Sequence, residues 1–271
     1  MTTPAAPTAQ SQLGLHGDPS ATLFAFVGRL TQQKGADVLL AAAPALLSTR
    51  GGGSRQLVML GTGGCLIIHF SRKYIGVGNY QHPTIVHSST NVMMIGYYCY
   101  SKRIYNAIDT GGMWEECAIK QLHSAFPGRA VGVAAFDERL AHLIYAAADV
   151  LVVPSRFEPC GLVAQCGARY GAVPLVASTG GLQDLVTERV GYTIPPVGRA
   201  DDPIAFRRAV DALLRSMLGA AAEHVAGPPY RAKQRACMQL DLSWGRPAVQ
   251  WELMLQQVAE AGGLQRDGMK I

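Results

Sequence analysis

The chain has 271 residues, 49% of them hydrophobic and only 16% charged, which is material for one large domain or two small ones and excludes a disordered chain. A net charge of +5, with lysines and arginines scattered rather than in runs, excludes a nucleic-acid stripe and a polybasic membrane patch and suits a basic pocket for an anionic small molecule. Six cysteines (Cys65, Cys99, Cys117, Cys160, Cys166 and Cys237) form no CxxC pair and no Cys/His zinc spacing, so they read as free thiols in a reducing compartment.

In chain order, residues 1–20 are expected to be a flexible leader. The opening "MTTPAAPTAQSQ" has neither the apolar core of a secretory signal nor the arginines of a transit peptide. From Leu23 short apolar runs alternate with amphipathic stretches, the pattern of βαβ units around a parallel sheet. "LFAFVG" reads as a strand, "GADVLLAAAPALL" as a helix and "QLVMLGTG" as the next strand. After an interruption come "EECAIKQLHSAF" (helix), "AVGVAAF" (strand), "ERLAHLIYAAA" (helix), "DVLVVPS" (strand), "GLVAQCGARYG" (helix) and "VPLVAS" (strand). Beyond Val190 the pattern becomes helical in "DPIAFRRAVDALLRSML", "PPYRAKQRACMQL" and "PAVQWELMLQQVAEA", and residues 263–271 read as a loose tail. The fold class is α/β, a doubly wound parallel sheet with carboxyl-terminal helices, spanning 21–262.

The interruption, 65–112, differs in composition: Ala107 is its one alanine, while Tyr74, Tyr80, Tyr97, Tyr98, Tyr100 and Tyr105 crowd together. Its margins echo each other in "GTGG" and "DTGG", so deleting it joins a strand to a helix through a normal turn. A structureless loop of this length does not suit a compact domain, and the segment reads as translated non-coding sequence, a retained intron or a gene-model error, in preference to the alternative of a functional insertion.

Doubly wound sheets bind ligands beyond the carboxyl ends of their strands, so the loops of interest are "GRLTQQKG", "GTGG", "FDERLAH", "SRFEPCGL" and "STGGLQD". The first delivers Gly28, Arg29 and, five residues on, Lys34 just ahead of a helix, so that two cations and a helix N-terminus can converge on a diphosphate. Alone it could equally be a solvated basic turn. Gly180 and Gly181 allow close backbone approach, with N–H groups facing outward if a helix starts at Leu182. In "SRFEPCGL", Pro159 fixes the backbone after Glu158 and Gly161 opens a helix whose N–H groups face the same cleft. A carboxylate there stays ionised, suited to accepting sugar hydroxyls or steadying a cationic transition state. For an isolated glutamate the alternative is a simple macrodipole partner. Cys160 has no paired histidine that spacing identifies and is discounted as a nucleophile. His142 reads as a packed or hydrogen-bonded core residue rather than a base.

The order of these motifs is informative. "FVGRLTQQKG", "LGTG", "FPGRAVGVAAFDERLAHLIYAAADVLVVPSRFEPCGL", "RYGAVPLVASTGGLQDLV" and "CMQLDLSWGRPAVQWELML" together resemble the carboxyl-terminal, nucleotide-sugar half of the starch and bacterial glycogen synthases, over about residues 10–64 and 113–262. The stretch from "AGPPYRAKQRACMQLDLSW" onward most resembles the granule-bound members. The resemblance implies a GT-B glycosyltransferase half that uses ADP-glucose, or UDP-glucose in granule-bound forms, to extend α-1,4-glucan with retention. It implies no metal and no cofactor, a nucleotide sugar and a glucan or starch granule as partners, and a plastid setting.

By the same resemblance, Arg29 and Lys34 hold the diphosphate and Glu158 lies at the transferred glucose, with Cys160, Gly161 and Leu162 beside it. Thr179, Gly180, Gly181 and Leu182 lie at the phosphates and sugar, and Phe136 and Asp137 at the adenosine. The family often has Gln and an aliphatic residue where this chain has Ala164 and Gln165. The family's amino-terminal domain has no counterpart in these residues, so the chain alone is expected to show little or no synthase activity while retaining weak ADP binding. A non-catalytic granule-associated protein and another nucleotide-sugar glycosyltransferase are the alternatives; a dehydrogenase is disfavoured, because no GxGxxG follows the first strand.

Overall fold

In the computed structural model, residues 9–48, 54–63 and 113–261 are described; the segment 65–112 and the tail 263–271 lie outside them. Strand β1 (Thr22–Val27) is an unbroken apolar run after Thr22, as a strand covered on both faces requires, and its first five residues are buried. A 3-10 turn (Gln32–Lys34) follows and then α2 (Ala36–Ser48), which presents Val38, Leu39, Ala42, Ala43, Leu46 and Leu47 to the core. The chain continues as β2 (Arg55–Gly61), α3 (Met113–Ala125), β3 (Ala130–Ala134), α4 (Glu138–Ala147), β4 (Val150–Val153), α5 (Leu162–Tyr170) and β5 (Val173–Ala177). A short α6 (Gly181–Leu185), β6 (Tyr192–Ile194), α7 (Pro203–Ala226) and α8 (Pro228–Met238) complete the unit.

The strands pair in parallel in the order β3-β2-β1-β4-β5-β6, so the expected doubly wound sheet is present among the described residues. Register runs Thr22 to Arg55 and Phe24 to Leu57 between β1 and β2, and Phe24 to Val150 between β1 and β4. The chain steps outward from β1 through α2 and α3, then returns past β1 through α4 and α5. Right-handed crossovers therefore place these two helix pairs on opposite faces. Accordingly α2 packs on α3 and α7, and α4 packs on α5. The core between sheet and helices is continuous from Phe24, Leu57 and Met59 to Leu39, Leu213 and Met217. Cutting Leu39 back to alanine would cost about 2–5 kcal/mol.

β6 escaped the sequence reading: it is three residues long and shows no apolar run. The helix considered from Leu182 is present as α6, a single turn that opens at Gly181. Helix α7 extends through Ala226, farther than its apolar pattern suggested; Asp202 caps it by accepting from the Ile204 and Ala205 amides, with Pro203 in the first turn. Ahead of β1, a short α1 (Ala9–Gln12) leads into buried Leu13 and Leu15, and the His16 amide donates to the Gly128 carbonyl. Within the stretch expected to be a leader, these two leucines are therefore anchored, while most residues around them stay exposed. The described residues up to Met238 form one compact unit and those from Gln239 another. The second contains α9 (Gly245–Ala261), where Trp251, Leu255 and Val258 follow Trp244 at heptad-like steps and all four are more than half exposed. Among the described residues no helix is long and apolar enough to cross a membrane.

Candidate donor site

Strands β1 and β4 are neighbours from which the chain departs in opposite directions, which opens a crevice beyond their carboxyl ends. Lys34 reaches it from β1. Its 3-10 turn ends at Gly35, whose φ of +70° is left-handed; a Cβ there would lie 1.9 Å from the Pro154 carbonyl oxygen. Glycine is therefore what lets the loop after β1 press against the loop after β4.

Glu158 arrives from β4. Its Oε2 lies 2.5 Å from Lys34 Nζ, with side-chain exposures of 18% for the lysine and 9% for the acid, and it also accepts from Ser155 Oγ at 3.2 Å. The structure thus brings together the ammonium and the lone acid singled out in the sequence. Arg29 stands at the exposed rim, where Nη2 donates to Gln33 Oε1 at 3.2 Å, while Gln33 Nε2 donates to the Phe157 carbonyl at 3.1 Å. A polar chain therefore links Arg29 to the acid loop.

The third wall is the loop after β5. The Gly181 amide donates to the Glu158 carbonyl at 3.0 Å, and a Cβ on Gly180, at φ +48°, would lie 2.2 Å from that same oxygen. This corrects one expectation: the Gly181 N–H faces the acid loop rather than outward, because the glycine pair serves as a contact between two loops. The Leu182 amide likewise bonds the Thr179 carbonyl, and the Leu182 side chain is buried beneath the Gly161 turn. Gly161, at φ +66°, caps α5, while Leu162 and Cys160 are exposed at the mouth.

Phe136 and Asp137 lie beyond β3, on the far side of β2 from β1. Phe136 is 88% exposed, a ring available for stacking, whereas the Asp137 carboxylate is held by the Leu140 amide as the cap of α4. Gly28 is at the end of β1, its amide bonded to the Leu60 carbonyl. His142 is hydrogen-bonded as expected, with Nδ1 2.7 Å from Tyr170 Oη, but it sits on the exposed surface and not in the core, because α4 turns this face to solvent.

Sequence reasoning passed over Arg156 and Asp37. The guanidinium grips the Asp37 carboxylate with both terminal nitrogens, at 2.8 and 2.7 Å, and Asp37 is almost wholly buried. An acid in the first turn of a helix reads from sequence as a macrodipole partner, so its true partner, more than a hundred residues away, gave no signal. Glu115, on α3, is also buried, and its Oε2 has no hydrogen-bond partner among the described residues. Burial first, and then the negative Asp37, push its carboxyl up to about 7, a rise that its own backbone amide and Arg156 partly offset.

No protein-family model matches the chain. Granule-bound starch synthase 1 of Arabidopsis thaliana is 34% identical over 262 residues, 93% of this chain, and that of Solanum tuberosum is 34% identical over 260 residues. A glycogen synthase of Acidiphilium cryptum is 32% identical over 88% of this chain. The chain spans 33% of the length of the two plant proteins and 39% of the bacterial one. Among solved structures, the catalytic domain of Starch Synthase IV from Arabidopsis thaliana, bound to ADP and acarbose, matches with a TM-score of 0.58 at 26% identity, over 93% of this chain and 41% of that one. A sucrose-phosphate synthase from Thermosynechococcus elongatus shares the fold, with a TM-score of 0.52 at 22% identity over 93% of this chain and 49% of its own. In sequence and in its Rossmann-like GT-B architecture, the chain is homologous to a part of the starch and glycogen synthases.

Proposed function

We propose that the chain is the nucleotide-sugar half of a retaining glycosyltransferase of starch synthase type, which passes glucose from ADP-glucose, or UDP-glucose, to the non-reducing end of an α-1,4-glucan. The observation that carries this reading is the Lys34–Glu158 pair, set where the two central strands diverge. An ammonium has three donors, so Lys34 can serve Glu158 with one and diphosphate oxygens with the others. Arg29 adds a second cation at the rim.

As the bond from glucose C1 to the diphosphate breaks, negative charge grows on the departing ADP and positive character on the sugar. Lys34 and Arg29 stabilise the former and Glu158 the latter, so these side chains can carry the charge separation without a metal. Phe136 offers a stacking face for the adenine. The transfer also needs an aligned acceptor and an excluded solvent, which one sheet and its loops do not supply. The 271 residues alone are therefore expected to bind ADP and to elongate glucan little or not at all. Relatives whose names place them in chloroplasts and amyloplasts support a plastid setting, with the starch granule as partner.

Calorimetric titration with ADP and ADP-glucose tests this directly. Binding should be measurable, and Lys34→Ala should weaken it at least ~10-fold, because a charge-assisted contact to the diphosphate is lost. In a complete enzyme carrying these loops, Glu158→Ala and Lys34→Ala should each cut glucose incorporation by ~10²–10³. Equal ADP affinity with and without Lys34, or robust elongation by the 271-residue chain, would contradict the proposal.

A further inference from the structure

We infer that Arg156 is the positioning residue of the donor site: its guanidinium, closed on Asp37, holds the Lys34 ammonium and the Glu158 carboxylate at their working separation. The inference rests on reading those two side chains as the donor site.

The fork of Arg156 reaches three separate segments. Nη1 donates to the Gln32 carbonyl and to Asp37 Oδ1, Nη2 to Asp37 Oδ2, and Nε to the Gly198 carbonyl at 3.0 Å. Its backbone joins two more contacts, the amide donating to the Gln33 carbonyl at 2.8 Å and the carbonyl accepting from Thr179 Oγ1 at 3.3 Å. Residue 156 therefore ties together the turn after β1, the first turn of α2, the loop after β5 and the loop before α7.

Lys34 follows Gln33 in the chain, and Glu158 stands two residues beyond Arg156. Both functional side chains thus hang from backbone that this one arginine fixes. Arg156 is 12% exposed and Asp37 2%, so water neither screens the pair nor competes for it as it would on an open surface. Lysine would keep the charge but donate from a single atom, unable to span both Asp37 oxygens and the Gln32 and Gly198 carbonyls together. The sheet and the α2–α7 core do not run through these bonds, so loosening them displaces the loops before it disrupts the fold.

The test compares the full chain with Arg156→Lys, which keeps charge and loses the fork, and with Asp37→Asn, which keeps shape and loses the counter-charge. Two variants are used so that loss of fold in one leaves the other to decide. Lys34 reactivity is read by amine-selective acetylation and peptide mass spectrometry, with Lys233, bonded to Glu223 at 3.0 Å, as internal reference. A variant that still melts cooperatively should acetylate faster at Lys34 but not at Lys233, and bind ADP about ten-fold more weakly, the scale of one lost hydrogen bond to a charged group. A purely structural role would raise both lysines together and overturns the inference, as does a folded variant with unchanged Lys34 labelling and unchanged ADP affinity. If the unsubstituted chain binds no ADP, it is the proposed function that fails, and the acetylation ratio alone then decides the role of Arg156.

Discussion

Single side chains in this protein take their meaning from partners far along the chain. Glu158 was legible as unusual because a carboxylate stood between an arginine and a Pro-Cys-Gly turn, yet its pairing with Lys34 became visible only when β1 and β4 were laid side by side. Glu115 was not legible at all, since one acid among the polar residues of an amphipathic helix carries no sign of burial. Its behaviour has a measurable consequence. Below pH 4.5 the carboxyl is protonated in both folded and unfolded chains; between 4.5 and about 7 the folded state holds the proton and the unfolded chain does not. Stability must therefore fall as pH rises through that window, with a total penalty on the order of 3 kcal/mol above it. Glu115→Gln should flatten thermal melts between pH 5 and 8 and make the protein more stable than the parent at pH 8. Parallel pH profiles for the two would show that the carboxyl titrates normally.

At the level of elements, the strands and longer helices were readable because each obeys one period: unbroken apolar runs for strands buried on both faces, and three-to-four spacing for helices. What could not be read was the detail where elements meet. The glycine pair at 180 and 181 suggested an anion cradle, whereas Gly180 is required by the passing Glu158 carbonyl and Gly181 donates to it. Gly35 shows the same logic. Gly35→Ala meets both a left-handed backbone and the Pro154 carbonyl, so it should destabilise the fold by more than the ~1 kcal/mol typical of a helix-interior glycine exchange. Because Lys34 is its neighbour, ADP affinity should fall as well. Chemical denaturation alongside nucleotide titration measures both, and an unaltered midpoint would mean that the turn after β1 yields without cost.

For the whole molecule, strand order is the property that locates the chemistry. Alternation of apolar and amphipathic segments told of a parallel sheet, and right-handed crossovers with a reversal between β1 and β4 put a crevice at its carboxyl edge. Which loops touch one another across that edge was hidden, because each contact joins residues more than twenty positions apart and most run through main-chain carbonyls. Those contacts also bear on how the crevice meets a guest. The Arg156 amide on the Gln33 carbonyl and the Gly181 amide on the Glu158 carbonyl are interlocks between separate loops, made wholly by protein groups and needing no guest to form. A guest thus enters walls that were set during folding, and little chain entropy is left to lose on its arrival. Deuterium uptake should accordingly be slow at both amides before any nucleotide is added and change little afterwards, so that ADP meets a rigid receptacle rather than one it must mould.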